Sequence, residues 1–205
     1  RCVHTEAVPG SEEKLDMLQY CVQTLTERGY VFIGMDHFAK PDDELSIALK
    51  EGFLQRNFQG YSTYADCDLV AIGVSSIGKI GSTYSQNERD IDAYYAALDA
   101  GHLPIMRGYQ LNQDDILRRN IIQDLMCRFS LDYQIYESVF GIPFSHYFAA
   151  ELEDMKQLET LGLVRLKPHS LTVTPKGRFL IRNIAMVFDY HLRHKETKAK
   201  YSQTV

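Results

Sequence analysis

Asp36 and His37 are adjacent ionisable residues placed directly after the apolar run Tyr30-Val31-Phe32-Ile33-Gly34-Met35. A carboxylate beside an imidazole can bind a substrate or handle a proton near neutral pH; the alternative is a histidine satisfied by a neighbouring carbonyl. Three arginines sit among apolar or aromatic neighbours, in Arg56-Asn57-Phe58, Met106-Arg107-Gly108 and Ile181-Arg182-Asn183. A planar guanidinium so placed suits bidentate recognition of a carboxylate, although surface arginines are common. Phe58-Gln59-Gly60-Tyr61 pairs an aromatic face with an amide, able to stack on and hydrogen-bond a purine, or simply to anchor a loop. Gly73-Val74-Ser75-Ser76-Ile77-Gly78 is too short and irregular for a phosphate loop. The four cysteines, Cys2, Cys21, Cys67 and Cys127, show no C-x2-C or C-x3-C spacing that would gather thiolates on a metal. Cys21 and Cys127 fall in helical apolar patterns and read as buried small hydrophobes.

A frame must position these groups. The chain has 205 residues, enough for one generous core or a core with a satellite domain. With 22 Lys+Arg against 27 Asp+Glu its net charge is −5, which argues against general nucleic-acid binding. No apolar run approaches the roughly 18–20 residues of a membrane span, and sparse cysteines suit a reducing cytoplasm. The chain opens on Arg1 with no charged-then-apolar leader, so we expect a piece of a longer protein.

Ser11 is expected to cap a helix with the acidic first turn Glu12-Glu13, the stripe Leu15, Leu18, Val22 and Leu25, and a stop at Gly29. The apolar run 30–35 then reads as a strand buried on both faces, which is the grammar of a parallel α/β sheet. Asp36 and His37 would sit at its carboxyl end, where such sheets bind ligands. A short helix from Pro41 to Glu51 and a second buried strand over Asp68–Gly78 repeat the pattern. Two parallel strands cannot close a sheet alone, so this region reads as incomplete. A helix is expected over 86–100 and an extended connector over 102–111. Helices led by Asp114-Asp115 and by Ser145 follow. A hairpin joins Leu163–Leu166 to Leu171–Thr174, and Pro175 opens a final helix running to Arg193. That order resembles a winged helix. Its Ser145–Leu161 helix carries Glu151, Glu153, Asp154 and Glu159 against Lys156, which would repel phosphates. Arg178, Arg182, Arg193 and Lys195 suit a solvated face and a helix C-terminus.

The stretch GYVFIGMDHFAKPDDELSIALKEGFLQRNFQGYSTYADCDLVAIGVSSIG (Gly29–Gly78), with RGYQL at Arg107–Leu111 and LTVTPKGRFLIRNIAMVFD near the end, resembles the oxygen-independent coproporphyrinogen III oxidases. These are radical S-adenosylmethionine enzymes of heme biosynthesis. FIGMDHFA and NFQGYST set the chain apart from the related heme-chaperone branch. The resemblance covers the chain but only the C-terminal part of the family's sequence. It implies the last strands and helices of an incomplete parallel (β/α) barrel over 1–85, a helix and connector over 86–111, and a mainly helical, winged-helix-like domain over 112–205.

In that family a [4Fe–4S] cluster reduces adenosylmethionine to a 5′-deoxyadenosyl radical, and two propionates of coproporphyrinogen III become vinyls, giving protoporphyrinogen IX. By resemblance, Ile77 would contact adenosylmethionine and Phe58 and Gln59 would shape the reaction pocket. The family's C-x3-C-x2-C cluster loop has no counterpart here. The chain alone is therefore expected to hold neither cofactor fully, to be inactive, and to self-associate through exposed barrel edges. The parent enzyme's partners would be coproporphyrinogen III and an electron donor. Four carboxylates on an apolar macrocycle call for guanidinium groups beside aromatic walls, so Arg56 and then Arg107 are expected to bind substrate, with Asp36 and His37 nearby. A heme- or porphyrin-binding module is the alternative of a different class.

Overall fold

The computed structural model describes residues 8–64 and 67–194, so Cys2 and Lys195 lie outside the described residues. The first helix, α1 (Ser11–Glu27), takes Gly10 as its cap residue, and Ser11 is already helical rather than capping. Glu12 and Glu13 occupy the first turn, and Gly29 (φ 82°) follows the end. The stripe from Leu15 to Leu25 is present but only half covered, and Cys21 is exposed, not buried.

The apolar run does form a strand, β1 (Val31–Gly34), but it reverses through Met35 and Asp36 to pair antiparallel with β2 (His37–Ala39). Gly34 (φ 155°) and Met35 (φ 55°) make that reversal possible. A side chain on Gly34 would also collide with the Tyr61 hydroxyl. After α2 (Glu44–Glu51), capped by Asp43 and stopped by Gly52, comes a second hairpin, β3 (Gln55–Asn57) and β4 (Gly60–Ser62).

The expected buried strand over 68–78 does not form. Leu69 makes one bridge to Lys79, while Val70 and Ile72 are 68% and 83% exposed. Gly73 (φ 100°) and Ser75 (φ 61°) break the extended path. Only its end joins β5 (Ile77–Ile80), which pairs with β6 (Thr83–Asn87). The helix expected from residue 86 begins later, as α3 (Ile91–Asp99), because Asp90 accepts the first free N–H groups and 83–87 is strand. The supposed connector contains β7 (Ile105–Gln110), completing a sheet of order β5-β6-β7. Every strand pair among the described residues is antiparallel, so the expected parallel pairing is corrected. The apolar runs that suggested it are cut by residues of positive φ.

The remainder follows its sequence pattern more closely. Helix α4 (Gln113–Arg128) starts with a capping box between Asn112 and Asp115. Then come β8 (Ser130–Asp132), α5 (Tyr133–Phe140), α6 (Phe144–Tyr147) and α7 (Ala149–Thr160). The single helix expected from Ser145 is broken at Phe148 (φ −102°, ψ 29°). The hairpin forms as β9 (Val164–Lys167) and β10 (Ser170–Val173), and β8 extends it to the order β8-β10-β9. The expected long closing helix is three short ones: α8 (Pro175–Phe179), α9 (Ile181–Met186) and α10 (Tyr190–Arg193). Their breaks let Ile181, Ile184 and Phe188 bury beside Phe144, Phe148 and Leu125.

Charges lock these elements. Arg118 reaches Glu151 and Asp114, Lys156 pairs with Glu153, and Arg193 pairs with Asp154. Glu159 accepts from the Leu166 N–H at 2.7 Å. The acidity of α7 is thus largely consumed in folding. Arg178 is not on a solvated face: it lies 4.1 Å over the Phe129 ring and donates to the Phe32 carbonyl at 3.0 Å, tying α8 to β1. Burial pushes its pKa down.

Candidate functional site

The β3–β4 hairpin turns through Phe58 and Gln59, with Asn57 Oδ1 accepting the Gln59 N–H at 2.8 Å. A two-residue turn throws both side chains outward, and Phe58 is 54% exposed, its ring edge-on to Tyr84 at 5.2 Å. The hairpin is pinned to α4 at two places. Tyr61 donates its hydroxyl to the Met126 carbonyl at 3.1 Å. Gln123, with its amide turned to satisfy both ends, accepts from the Arg56 N–H at 2.6 Å and donates to the Arg56 carbonyl at 3.1 Å. Burial raises the Tyr61 pKa to about 12, against the opposing pull of Arg56, whose guanidinium lies 4.7 Å over the ring.

Between this hairpin, α4, α9 and the β5–β6 sheet lies a cleft of about 820 Å³. Arg56, Phe58, Gln59 and Tyr61 line it from the hairpin. Arg119, Gln123 and Met126 line it from α4, Arg182 and Met186 from α9, and Lys79 and Tyr84 from the sheet. Nη1 of Arg56 and Nη1 of Arg119 are buried and meet no acceptor among the described residues. Basic groups, aromatic faces and apolar floor in one hollow of this size can hold an apolar molecule with acidic arms.

The structure brings together three of the residues expected from sequence, Arg56, Phe58 and Gln59. It separates the others. Ile77 and Arg107 line a smaller hollow of about 300 Å³, which shares the Tyr84 ring with the larger one. Arg107 there donates through Nε and Nη2 to Gln86 Oε1, at 2.9 and 2.6 Å. Asp36 and His37 line neither hollow. His37 Nδ1 lies 2.8 Å from Asp36 Oδ1 without forming a well-directed hydrogen bond, and its ring sits edge-on to Tyr61 at 5.1 Å. Arg119, Lys79 and Gln123 escaped sequence reasoning. The Arg118-Arg119 doublet was the available signal for one of them, because adjacent helical residues point to different faces.

The described cysteines do not fit an iron–sulfur cluster. Cys21 and Cys67 are exposed in separate segments, and Cys127 is buried with its thiol pushed up to about 12 by burial, so it stays protonated. Among the described residues no helix is long and apolar enough to cross a membrane.

Residues 111–180 match the family model described as the HemN C-terminal domain. The chain is 48% identical over 203 residues to an oxygen-independent coproporphyrinogen III oxidase of Synechocystis sp., which covers 97% of this chain and 44% of that protein. It is 46% identical over 198 residues to the enzyme of the same name from Salmonella typhimurium, covering 97% of this chain and 43% of the relative. A solved structure, described as coproporphyrinogen III oxidase (HemN) from Escherichia coli and as a radical SAM enzyme, superposes with a TM-score of 0.87 at 46% identity. It covers 92% of this chain and 44% of its own. The chain spans less than half the length of these relatives.

Proposed function

We propose, on its kinship to oxygen-independent coproporphyrinogen III oxidases, that this chain supplies the C-terminal share of such an enzyme and that its 820 Å³ cleft receives coproporphyrinogen III. The observation that carries the reading is the cleft itself: guanidinium nitrogens of Arg56 and Arg119, unpartnered among the described residues, beside the aromatic faces of Phe58, Tyr61 and Tyr84. The apolar macrocycle is buried against those faces, and its propionates meet the basic groups. Phe58 and Gln59, at the tip of a hairpin clamped to α4, border the reacting side chain. Adenosylmethionine, when bound in the complete enzyme, would supply the radical chemistry, and Ile77, which lines the smaller hollow, would offer it an apolar contact. Arg107, held by Gln86, acts from the smaller hollow. His37 supports the hairpin through Tyr61, and Asp36 beside it is exposed and away from both hollows.

The finer architecture belongs to the same reading. Residues 1–85 serve as the closing part of a barrel, 86–111 as helix and connector, and 112–205 as a winged-helix-like cover. The exposed Val70 and Ile72 are the apolar surface that would meet the rest of the barrel or a second copy of the chain. With its cysteines spaced as they are, the chain by itself does not cleave adenosylmethionine, and it works in the cytoplasm with an electron donor acting on the complete enzyme. Iron–sulfur reconstitution that gives a visible-absorbing cluster able to cleave adenosylmethionine overturns that part.

Titrating the chain with coproporphyrin III and, separately, with heme tests the central reading. Saturable micromolar uptake of coproporphyrin III supports it. A Soret shift with heme and no response to coproporphyrin III replaces it with a heme-binding module.

A further inference from the structure

We infer that Arg119 and Arg182, with Lys79, form a carboxylate clamp across the cleft from the β3–β4 hairpin, gripping the acidic arms of the bound ring from α4, α9 and β5. The inference rests on the porphyrin reading above, from which it takes the ligand class and the unmet Arg119; Arg182 and Lys79, and their grouping with Arg119 opposite the hairpin, are its addition.

Four basic side chains line the cleft, Arg56, Lys79, Arg119 and Arg182, each from a different element. None of them forms an ion pair among the described residues. Neighbouring arginines contrast with them. Arg118 holds Asp114 and Glu151, Arg128 pairs with Asp124, and Arg178 donates to the Phe32 carbonyl. Among the described residues two carboxylates reach the cleft wall, and backbone amides engage both. Asp68 Oδ1 accepts from the Gly81 N–H at 2.7 Å, and Asp189 Oδ1 accepts from the Leu192 N–H at 3.0 Å. Among the described residues, then, the hollow lining carries more positive than negative side chains. Buried guanidinium donors ordinarily find acceptors, so the unmet Nη1 of Arg119 marks a side chain placed for an acceptor from outside.

Helical spacing explains how the clamp is presented. Arg118 and Arg119 are rotated by about 100° from each other on α4, so one enters the core and the other faces the cleft. On that cleft face Arg119, Gln123 and Met126 stand at spacings of four and three, and Arg182 and Met186 repeat the arrangement on α9. Each helix thus offers a cation at one end and an amide or thioether floor at the other. An apolar ring carrying carboxylates at its rim satisfies both.

Fluorescence titration of the whole chain with coproporphyrin III and with its uncharged tetramethyl ester tests the clamp. Arg119→Ala and Arg182→Ala should each weaken the acid by about tenfold and leave the ester unchanged, with Arg119→Lys recovering part of the loss. Unchanged affinity for the acid overturns the clamp and leaves the porphyrin reading standing. An equal loss for acid and ester also overturns it, since that pattern reports a damaged hollow. If the unaltered chain takes up neither probe, the porphyrin reading fails and the clamp fails with it. Thermal melts monitor folding, and Arg182, exposed on α9, carries the test should Arg119→Ala not fold.

Discussion

Arg118 donates through Nη1 to Glu151 Oε1 at 2.8 Å, joining α4 to α7 with the two side chains only 11% and 7% exposed. The same guanidinium reaches Asp114 through Nε, donates to the Phe188 carbonyl at 3.2 Å and lies 5.1 Å from the Phe148 ring. This one residue links α4 and α7 to the segment before α10. Removing it strands Glu151 in the interior, so Arg118→Ala should cost about 3–5 kcal/mol in urea unfolding. The double change Arg118→Met with Glu151→Leu should regain most of that loss, because the buried Glu151 charge goes with its partner and the more exposed Asp114 keeps the Tyr147 hydroxyl.

Alkaline pH should unfold the protein early. Burial raises Cys127 from its ordinary 9.0 to about 12, and Tyr61 and Tyr133 from 10.0 to about 12. Each acid holds its proton more tightly folded than unfolded. The stabilisation is therefore full below about pH 9 and is lost as pH rises towards 12. Tyr61 alone accounts for about 3 kcal/mol over that range. Tyr61→Phe should flatten the upper part of the urea midpoint's pH profile, at a cost near neutrality of about 1 kcal/mol for the lost bond to Met126.

Thiol labelling should follow burial. Iodoacetamide at neutral pH should modify Cys21 and Cys67, which are exposed, well before Cys127. Peptide mass spectrometry along a time course reads the order, and early modification of Cys127 would contradict the packing of α4 on the β3–β4 hairpin.

Gly177 is required for close approach. A side chain there would run into the Leu163 carbonyl and the Val173 side chain, where α8 meets the β9–β10 hairpin. Gly177→Ala should lower stability by about 2 kcal/mol and broaden signals from both elements in an NMR spectrum.

Phe58 should matter for ligand and not for folding. Its ring is half in solvent and touches Tyr84 edge-on. Phe58→Ala should leave the melting temperature within a degree or two of the parent's while weakening coproporphyrin III by about tenfold. A large fall in melting temperature would assign the ring to packing instead.

The helix stop at Gly29 was legible because it is settled within a few positions along the chain, where only a positive φ continues it. The caps are just as local, with Asp43 and Asp90 binding the free N–H groups after them and Asn112 and Asp115 capping each other, yet the sequence reading named only Ser11, whose place Gly10 takes. The same locality put Phe58 and Gln59 beside Arg56. Strand partners were not legible. An apolar run such as Val31–Gly34 shows that a segment is to be covered, not what covers it, and the turn at Gly34–Met35 chose the hairpin over a parallel neighbour. Nor could sequence separate Arg118 from Arg119, or Arg56 from Arg107. Whether a guanidinium is quenched by Glu151 or Gln86, or left facing an open cleft, depends on atoms brought from dozens of residues away, and only tertiary packing fixes those distances.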